Sequence, residues 1–213
     1  SSQPLSAQAG LTILQQGGNA VDAAIATAIC QTILEPTNTG LGSDCFALVW
    51  IKDKLYGLNG SGYAPSGLTA EEAHRAGCTD KIPFFGWVSM TIPGAAGAWA
   101  ELHKRFGRLP FAKLFEPAIY YAENGYPVSP IVARFLQAGI EKFLPYKDNP
   151  AMKYWFDTFV PNGKVPKTGE MMRLPDHAKT LRLLAESHCE SLYRGELAEK
   201  LVPYAKEMGY THL

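Results

Sequence analysis

The segment GGNAVDAAIATAICQTILEPTNTGLGSDCFALVW, Gly17 to Trp50, decides how this chain folds. Its glycine pair reads as a left-handed helix stop, because glycine enters positive φ without steric cost. Asn19 follows, a side chain able to accept from the orphan N–H groups at a helix start. From Ala20 to Leu34 only Asp22, Thr27, Gln31 and Thr32 interrupt small or apolar residues, so the pattern predicts a helix that is apolar nearly all round and buried between layers. Pro36 ends it. Cys45 to Ile51 is a continuous apolar run bounded by glycine on one side and Lys52-Asp53-Lys54 on the other, which predicts a strand with Leu55 to Leu58 as its hairpin partner. A buried helix packed on a buried hairpin implies a layered fold mixing helix with a sheet that is at least partly antiparallel.

Upstream, Ala7, Leu11 and Leu14 recur at helical spacing and predict a first helix with these residues on one face. Downstream, Thr69 and Glu72 form a capping-box pattern for a short helix, and Ser89 to Ile92 reads as a strand. Pro93-Gly94 opens a helix with Ala95, Trp99, Leu102 and Phe106 on one face, closed by Gly107. Further helices are expected from Phe111 to Asn124 with a stop at Gly125, from Ser129-Pro130, after a cap at Asp176 with Leu181 and Leu184 inward, and from Gly195 to Met208. Lys147 to Arg173, rich in proline, glycine and aromatics, reads as irregular. No repeat, low-complexity tract or linker divides residues 1–213, so the expectation is one domain or part of one, without separate domains.

Over 213 residues, 46% hydrophobic content suffices for a buried core. Twenty basic and twenty acidic residues cancel, leaving no field of one sign to attract nucleic acid or an anionic membrane. The longest apolar run, Ala23 to Leu34, is far short of the roughly 20 residues that span a bilayer. The four cysteines lie far apart, and Cys30, inside the apolar helix, reads as a small hydrophobe. Among His74, His103, His177, His188 and His212 no spacing places two ligands on one helix face, and no cysteine pair has zinc-site spacing; metal and cofactor are both expected to be absent. Most of the histidines are expected at the surface. No basic stretch followed by an apolar one opens the chain, and cytoplasmic and exported settings both stay open.

The candidate nucleophiles are incomplete. GLGSDC, Gly40 to Cys45, resembles a dinucleotide loop but precedes a strand where it should follow one, and its third glycine is Cys45; a tight turn into the hairpin is the better reading. Ser61 in GSG lacks the glycines two residues away that a nucleophile elbow needs, since those positions are Asn59 and Tyr63. Flanking glycines indicate close backbone approach, either to a ligand in a pocket or to neighbouring chain in an ordinary turn. Thr211-His212 lies too near the chain end to be held as a catalytic site must be.

At GGNAVDAAIATA the sequence resembles the gamma-glutamyltranspeptidase, or glutathione hydrolase, family of N-terminal-nucleophile enzymes. The resemblance continues in order through SSQPLSAQAG, EPTNTGLGSDCFALVW, GYAPSGLTAE, VSMTIPGAAGAWAELHKRFGRLPFAKLFEPAIYYAENGYPVS and LPDHAKTLRLLAESHCESLYRGELAEKL. It implies an α+β fold, the αββα sandwich of that class, made as a zymogen that cuts itself into a large and a small subunit. It further implies that a threonine opening the small subunit is the nucleophile, its own α-amine the base, with small-subunit backbone amides and serines holding oxyanion and substrate. None of that motif lies in this chain, which resembles the N-terminal part of the large subunit and carries no catalytic residue of its own. The implied partners are the small-subunit segment with the threonine and a small-molecule amide; a homodimer of such heterodimers is compatible. Half of a shared sandwich is expected to present a large apolar face.

In the transpeptidases the large subunit supplies an arginine, within Arg-Glu-x-Ala-Pro, that grips the α-carboxylate of the gamma-glutamyl group. Aligning on Ala64-Pro65 puts Ser61 at that arginine and Gly62 at the glutamate. A hydroxyl cannot replace a bidentate guanidinium–carboxylate pair, and a lost charged hydrogen bond costs about 1.5–3 kcal/mol, roughly 10- to 100-fold in binding. The NGSG version resembles the acylase-like branch of the family. The leading expectation is an amide hydrolase or acyltransferase acting on gamma-glutamyl or related acyl amides such as glutathione, with Ser61, Gly60 and Gly62 as the large subunit's contribution to the acyl pocket. Its rivals are a cephalosporin-acylase-like amidase, a truncated or degenerate member acting as a non-catalytic binding module, and a self-contained hydrolase using Ser61 or Cys45.

Overall fold

A computed structural model describes residues 1–83 and 86–210. In chain order the elements are α1 (Pro4–Gln15), α2 (Ala20–Leu34), β1 (Cys45–Ile51), β2 (Lys54–Gly60), α3 (Ala70–Arg75), α4 (Ala95–Phe106), α5 (Glu116–Asn124) and β3 (Tyr126–Pro127). They continue with α6 (Pro130–Phe143), α7 (Lys153–Phe159), β4 (Met171–Met172), α8 (Pro175–Glu186), α9 (Ser191–Arg194) and α10 (Glu196–Glu207). The chain divides into two compact units, one of Ser1–Leu41 with Ala100–His188 and the other of Gly42–Trp99 with Cys189–Leu213.

The first unit is built around α2. Asn19 caps it, accepting from Val21 N and Asp22 N, while Asp22 reaches back to accept from Asn19 N. Asp22 is fully buried and also accepts from the backbone N–H groups of Arg108 and Leu109, so one carboxylate ties the start of α2 to the turn after α4. Asn19 adds a bond from its amide to Phe106 O. Ile25, Ile29, Ile33 and Leu34 are buried, as are Leu114, Phe115, Leu181 and Leu184 of the surrounding helices and turns. Helix α1 presents Ser6, Ala9, Gly10 and Ile13 inward, and not the face of Ala7, Leu11 and Leu14 that the spacing suggests; Leu11 and Leu14 are exposed. A close crossing selects the small face: a Cβ on Gly10 would fall 2.3 Å from Thr27 Oγ1. Gly17 (φ 92°) and Gly125 (φ 91°) supply the left-handed stops after α1 and α5.

Three further sequence expectations need correction in this unit. Asp176 does not cap α8; Leu174 is the cap residue and Asp176 sits in the first turn, facing the orphan N–H end of the helix. Lys147 to Arg173 contains the ordered helix α7 and the strand β4, which pairs antiparallel with β3. Phe111 to Asn124 is broken into a short 3-10 turn, Phe111–Leu114, followed by α5, whose Pro117 is tolerated in its first turn.

In the second unit β1 and β2 form the antiparallel hairpin, with Cys45 opposite Gly60, Leu48 opposite Gly57 and Trp50 opposite Leu55. Lys52 and Asp53 make the turn at positive φ, 50° and 55°. The hairpin is not buried as its apolar run suggests. Phe46, Leu48 and Trp50 are 65%, 78% and 66% exposed, and with Leu55 they share one face of the ladder; the residues facing the other way, such as Ala47, Val49 and Leu58, are partly covered. A both-faces-apolar strand needs cover on both faces. Thr69 caps α3 by accepting from Glu72 N. Ser89 to Ile92 is no strand: a 3-10 turn, Trp87–Ser89, precedes an irregular stretch whose Ile92 N bonds Tyr63 O at 2.8 Å.

Candidate functional site

The segments around Ser61 meet backbone to backbone inside the second unit. Gly94 N and Ala95 N, at the start of α4, both donate to Ser43 O, at 3.2 and 2.9 Å. A Cβ on Gly94 would lie 2.0 Å from Gly60 O, one on Gly60 would lie 2.8 Å from Ala98 Cβ, and one on Gly62 would lie 1.9 Å from Ile92 O. Gly62 also holds φ 81°, a conformation that strains any residue with a side chain. The close approach that the flanking glycines indicate is therefore made to neighbouring chain: Gly62 meets Thr91 and Ile92, and Gly60 meets Cys45, Gly94 and Ala98. Tyr193 fastens the far side of this junction: its hydroxyl accepts from Gly97 N at 2.8 Å and donates to Pro93 O at 2.7 Å.

Ser61 sits half-buried between these two glycines, just beyond the end of β2. Its N–H donates to Asn59 Oδ1 at 2.9 Å and its carbonyl accepts from Thr91 Oγ1 at 3.4 Å, so both backbone groups are occupied locally and the side chain is carried on a fixed loop. Tyr63 and Ala64 next to it are exposed, while Pro65 is buried. A seryl hydroxyl in such a place offers one donor and two acceptor lone pairs without charge.

Nucleophilic chemistry is not assembled here. Among the described residues no hydrogen bond joins Ser61 Oγ or Cys45 Sγ to a histidine or carboxylate. Burial, and then Asp44, push the Cys45 thiol above its ordinary value, which lowers its thiolate fraction. Burial drives Cys30 and Cys189 up to about 12, and all four cysteines are free. His74 and His188 are exposed, but His103 and His177 are partly buried; His103 Nε2 lies 2.7 Å from Leu109 O, and burial lowers the basicity of His177. Thr211 and His212 lie outside the described residues. Among the described residues no three His, Cys, Asp or Glu side chains gather as a metal site, and no helix is long and apolar enough to cross a membrane.

Sequence reasoning missed Tyr193 and Asp22 as organising groups. An isolated tyrosine in a polar helix carries no signal, whereas Asp22 had one: a carboxylate three residues after an asparagine cap, in a helix otherwise almost free of charge.

Among the described residues a mixed helix and sheet scaffold carries a glycine-clasped loop and no assembled nucleophile, and the solved structures that this chain resembles have the α+β fold of N-terminal-nucleophile hydrolases. The chain belongs to the gamma-glutamyltranspeptidase family, whose model matches residues 6–212. It is 36% identical over 210 residues to the glutathione hydrolase-like YwrD proenzyme of Bacillus subtilis, covering 96% of this chain and 38% of that protein. Cephalosporin acylase from Bacillus halodurans superimposes with a TM-score of 0.95 at 52% identity, over 99% of this chain and 39% of its own. Gamma-glutamyltranspeptidase of Helicobacter pylori superimposes with a TM-score of 0.87 at 28% identity, over 97% of this chain and 59% of its own. The chain thus spans about two fifths of the length of the YwrD proenzyme and of the cephalosporin acylase.

Proposed function

We propose that this chain is the N-terminal portion of the large subunit of an autoprocessed enzyme that cleaves acyl amides and passes the acyl group to water or an amine. The observation that carries this reading is the 0.95 TM-score at 52% identity to a cephalosporin acylase, reinforced by a family model covering all but a few residues. Nucleophile and base then come from a second polypeptide that begins with threonine: its hydroxyl adds to the acyl carbonyl, its α-amine takes the proton, and the amine half of the substrate leaves. The exposed Phe46, Leu48, Trp50 and Leu55 face supports such a partner, because an apolar surface of this kind on a hairpin calls for cover.

Within that reading the loop Gly60-Ser61-Gly62 lines the acyl pocket, and Ser61 touches the acyl group where a transpeptidase presents arginine. Loss of the guanidinium removes a charged, bidentate grip on an α-carboxylate and favours acyl groups lacking one. Ser61 together with the acylase likeness supports a reading in which related acyl amides come ahead of gamma-glutamyl amides as substrates. The test uses the complete protein. N-terminal sequencing and intact mass should find a second polypeptide beginning with threonine, and a gamma-glutamyl anilide should be cleaved no better than its analogue without the α-carboxylate. An unprocessed, inactive protein would sink the enzyme reading in favour of a binding module; strong selectivity for the carboxylate would sink the role given to Ser61.

A further inference from the structure

Helix α4 starts under a steric constraint. Gly94 holds its cap position, since the Gly94 carbonyl accepts the first helical bond from Ala98 N at 3.0 Å. The orphan N–H groups of a helix start are usually satisfied by a serine, threonine, aspartate or asparagine side chain at that position. None can stand at residue 94, because a Cβ there would lie 2.0 Å from Gly60 O and 2.7 Å from Gly62 N. The helix therefore takes its acceptors from other segments. Ser43 O receives the N–H groups of Gly94 and Ala95, and the phenol of Tyr193, from α9, receives that of Gly97 at 2.8 Å.

The same phenol donates to Pro93 O at 2.7 Å. Proline has no N–H, so its carbonyl is the only backbone hydrogen-bonding group by which Pro93 can be held. Burial pushes the Tyr193 phenol up from its ordinary value and so keeps on it the proton that this bond uses. The residues on either side of Pro93 are the ones that grip the Ser61 loop. Ile92 N donates to Tyr63 O at 2.8 Å, Ile92 O occupies the space that a Gly62 Cβ would need, and Gly94 closes on the Gly60 carbonyl. The Tyr193 hydroxyl thus holds the middle of the segment Ile92-Pro93-Gly94, whose two ends clamp Gly62 and Gly60 with Ser61 between them.

We propose that Tyr193 is a positioning residue of the acyl pocket: its hydroxyl fixes Pro93 and the start of α4, and through Ile92 and Gly94 it sets the place from which Ser61 meets the acyl group. The consequence for catalysis rests on the acyl-transfer reading, whereas the clamp itself is measured without turnover.

The test compares Tyr193→Phe with the parent in the complete protein, since phenylalanine keeps the ring and deletes the hydroxyl. Amide hydrogen exchange, resolved by residue, is expected to quicken about 3- to 10-fold at Ser61 and Ile92 while Ile29, in the core of α2, exchanges as before. Unchanged exchange at Ser61 and Ile92 overturns the proposal, and so does an equal acceleration at Ile29, which marks a general loosening. In turnover of the anilide without an α-carboxylate, KM is expected to rise about 3- to 10-fold, the size of one neutral hydrogen bond, with kcat within about 2-fold. In a Ser61→Ala background the same substitution should change KM by less than about 2-fold, because the positioned group is gone. An undiminished effect in that background, or an unchanged KM in the Ser61 protein, overturns the route through Ser61. An unprocessed, inactive parent removes the acyl-transfer reading instead, and exchange at Ser61 and Ile92 then decides the clamp alone.

Discussion

Two glycines of this chain hold nearly the same positive φ in different surroundings, which separates conformational strain from steric collision. Gly62 holds φ 81° and Gly77 holds φ 87°. An added Cβ at Gly77 meets nothing within 4 Å, whereas at Gly62 it lands 1.9 Å from Ile92 O. Alanine in a left-handed conformation costs about 1–2 kcal/mol, and that is the whole expected loss for Gly77→Ala. In Gly62→Ala the carbonyl must retreat by at least about 1 Å, since real Cβ contacts essentially never fall below 3.0 Å. The adjacent Ile92 N to Tyr63 O bond, 2.8 Å long, is expected to go with it, adding about 1 kcal/mol. The loss at Gly62 is then about 2–3 kcal/mol, a sizeable part of the roughly 5–15 kcal/mol that holds a domain together. Chemical denaturation of the complete protein, comparing midpoints at constant slope, measures both. Equal losses, within about 0.5 kcal/mol, would show that the loop does not press on Thr91 and Ile92 as described.

Asp22→Ala should destabilise by about 3–5 kcal/mol, because Asn19 N, Arg108 N and Leu109 N all lose their acceptor in a buried place; a loss under about 1 kcal/mol in the same denaturation assay would contradict the hub role. His177, whose basicity burial lowers, takes up its proton more readily unfolded, so stability is full above about pH 6.5 and declines as pH falls toward the lowered folded value. His177→Gln should flatten that decline between pH 7 and 5 in pH-dependent melting curves, and an unchanged slope would place the sensitivity elsewhere. Ser61→Arg should raise kcat/KM for a gamma-glutamyl anilide roughly 10- to 100-fold over the analogue without the α-carboxylate; an unchanged ratio would show that position 61 does not meet the acyl group.

Local signals were legible wherever one residue's chemistry sets one backbone state. Asn19, Gly17, Gly125 and Ser129 mark helix ends correctly because caps and left-handed stops are decided within a few residues. Faces were less legible. Leu11 and Leu14 read as core by hydrophobicity, yet α1 is seated by Gly10 and Ala9, since a close crossing rewards the smallest surface. Helix α7 was hidden because its residues, KYWFDTF, carry poor helix formers held by packing around Trp155. The hairpin was recognised as strands but misjudged as buried, because an apolar run states what a strand needs and not whether this chain supplies it. The glycines around Ser61 announced close approach; only coordinates show that it is made to Ile92 and Gly94.

That last point governs what variation at position 61 can achieve. Contacts to Thr91, Ile92 and Gly94 and the Asn59 side chain fix the backbone of residues 60–62, and none of them involves the Ser61 side chain. Replacing the residue between two such clamped glycines is expected to change the group that is displayed and leave its place unaltered, because the hydrogen bonds that hold the loop use the backbone of Ser61. If Ser61 meets the acyl group as proposed, acyl specificity can shift from a charged grip to a neutral hydroxyl by one residue, while the flanking glycines tolerate almost nothing. The asymmetry is itself measurable: substitutions at 61 should redistribute kcat/KM among substrates at nearly constant stability, and substitutions at 60 or 62 should lower stability whichever substrate is used.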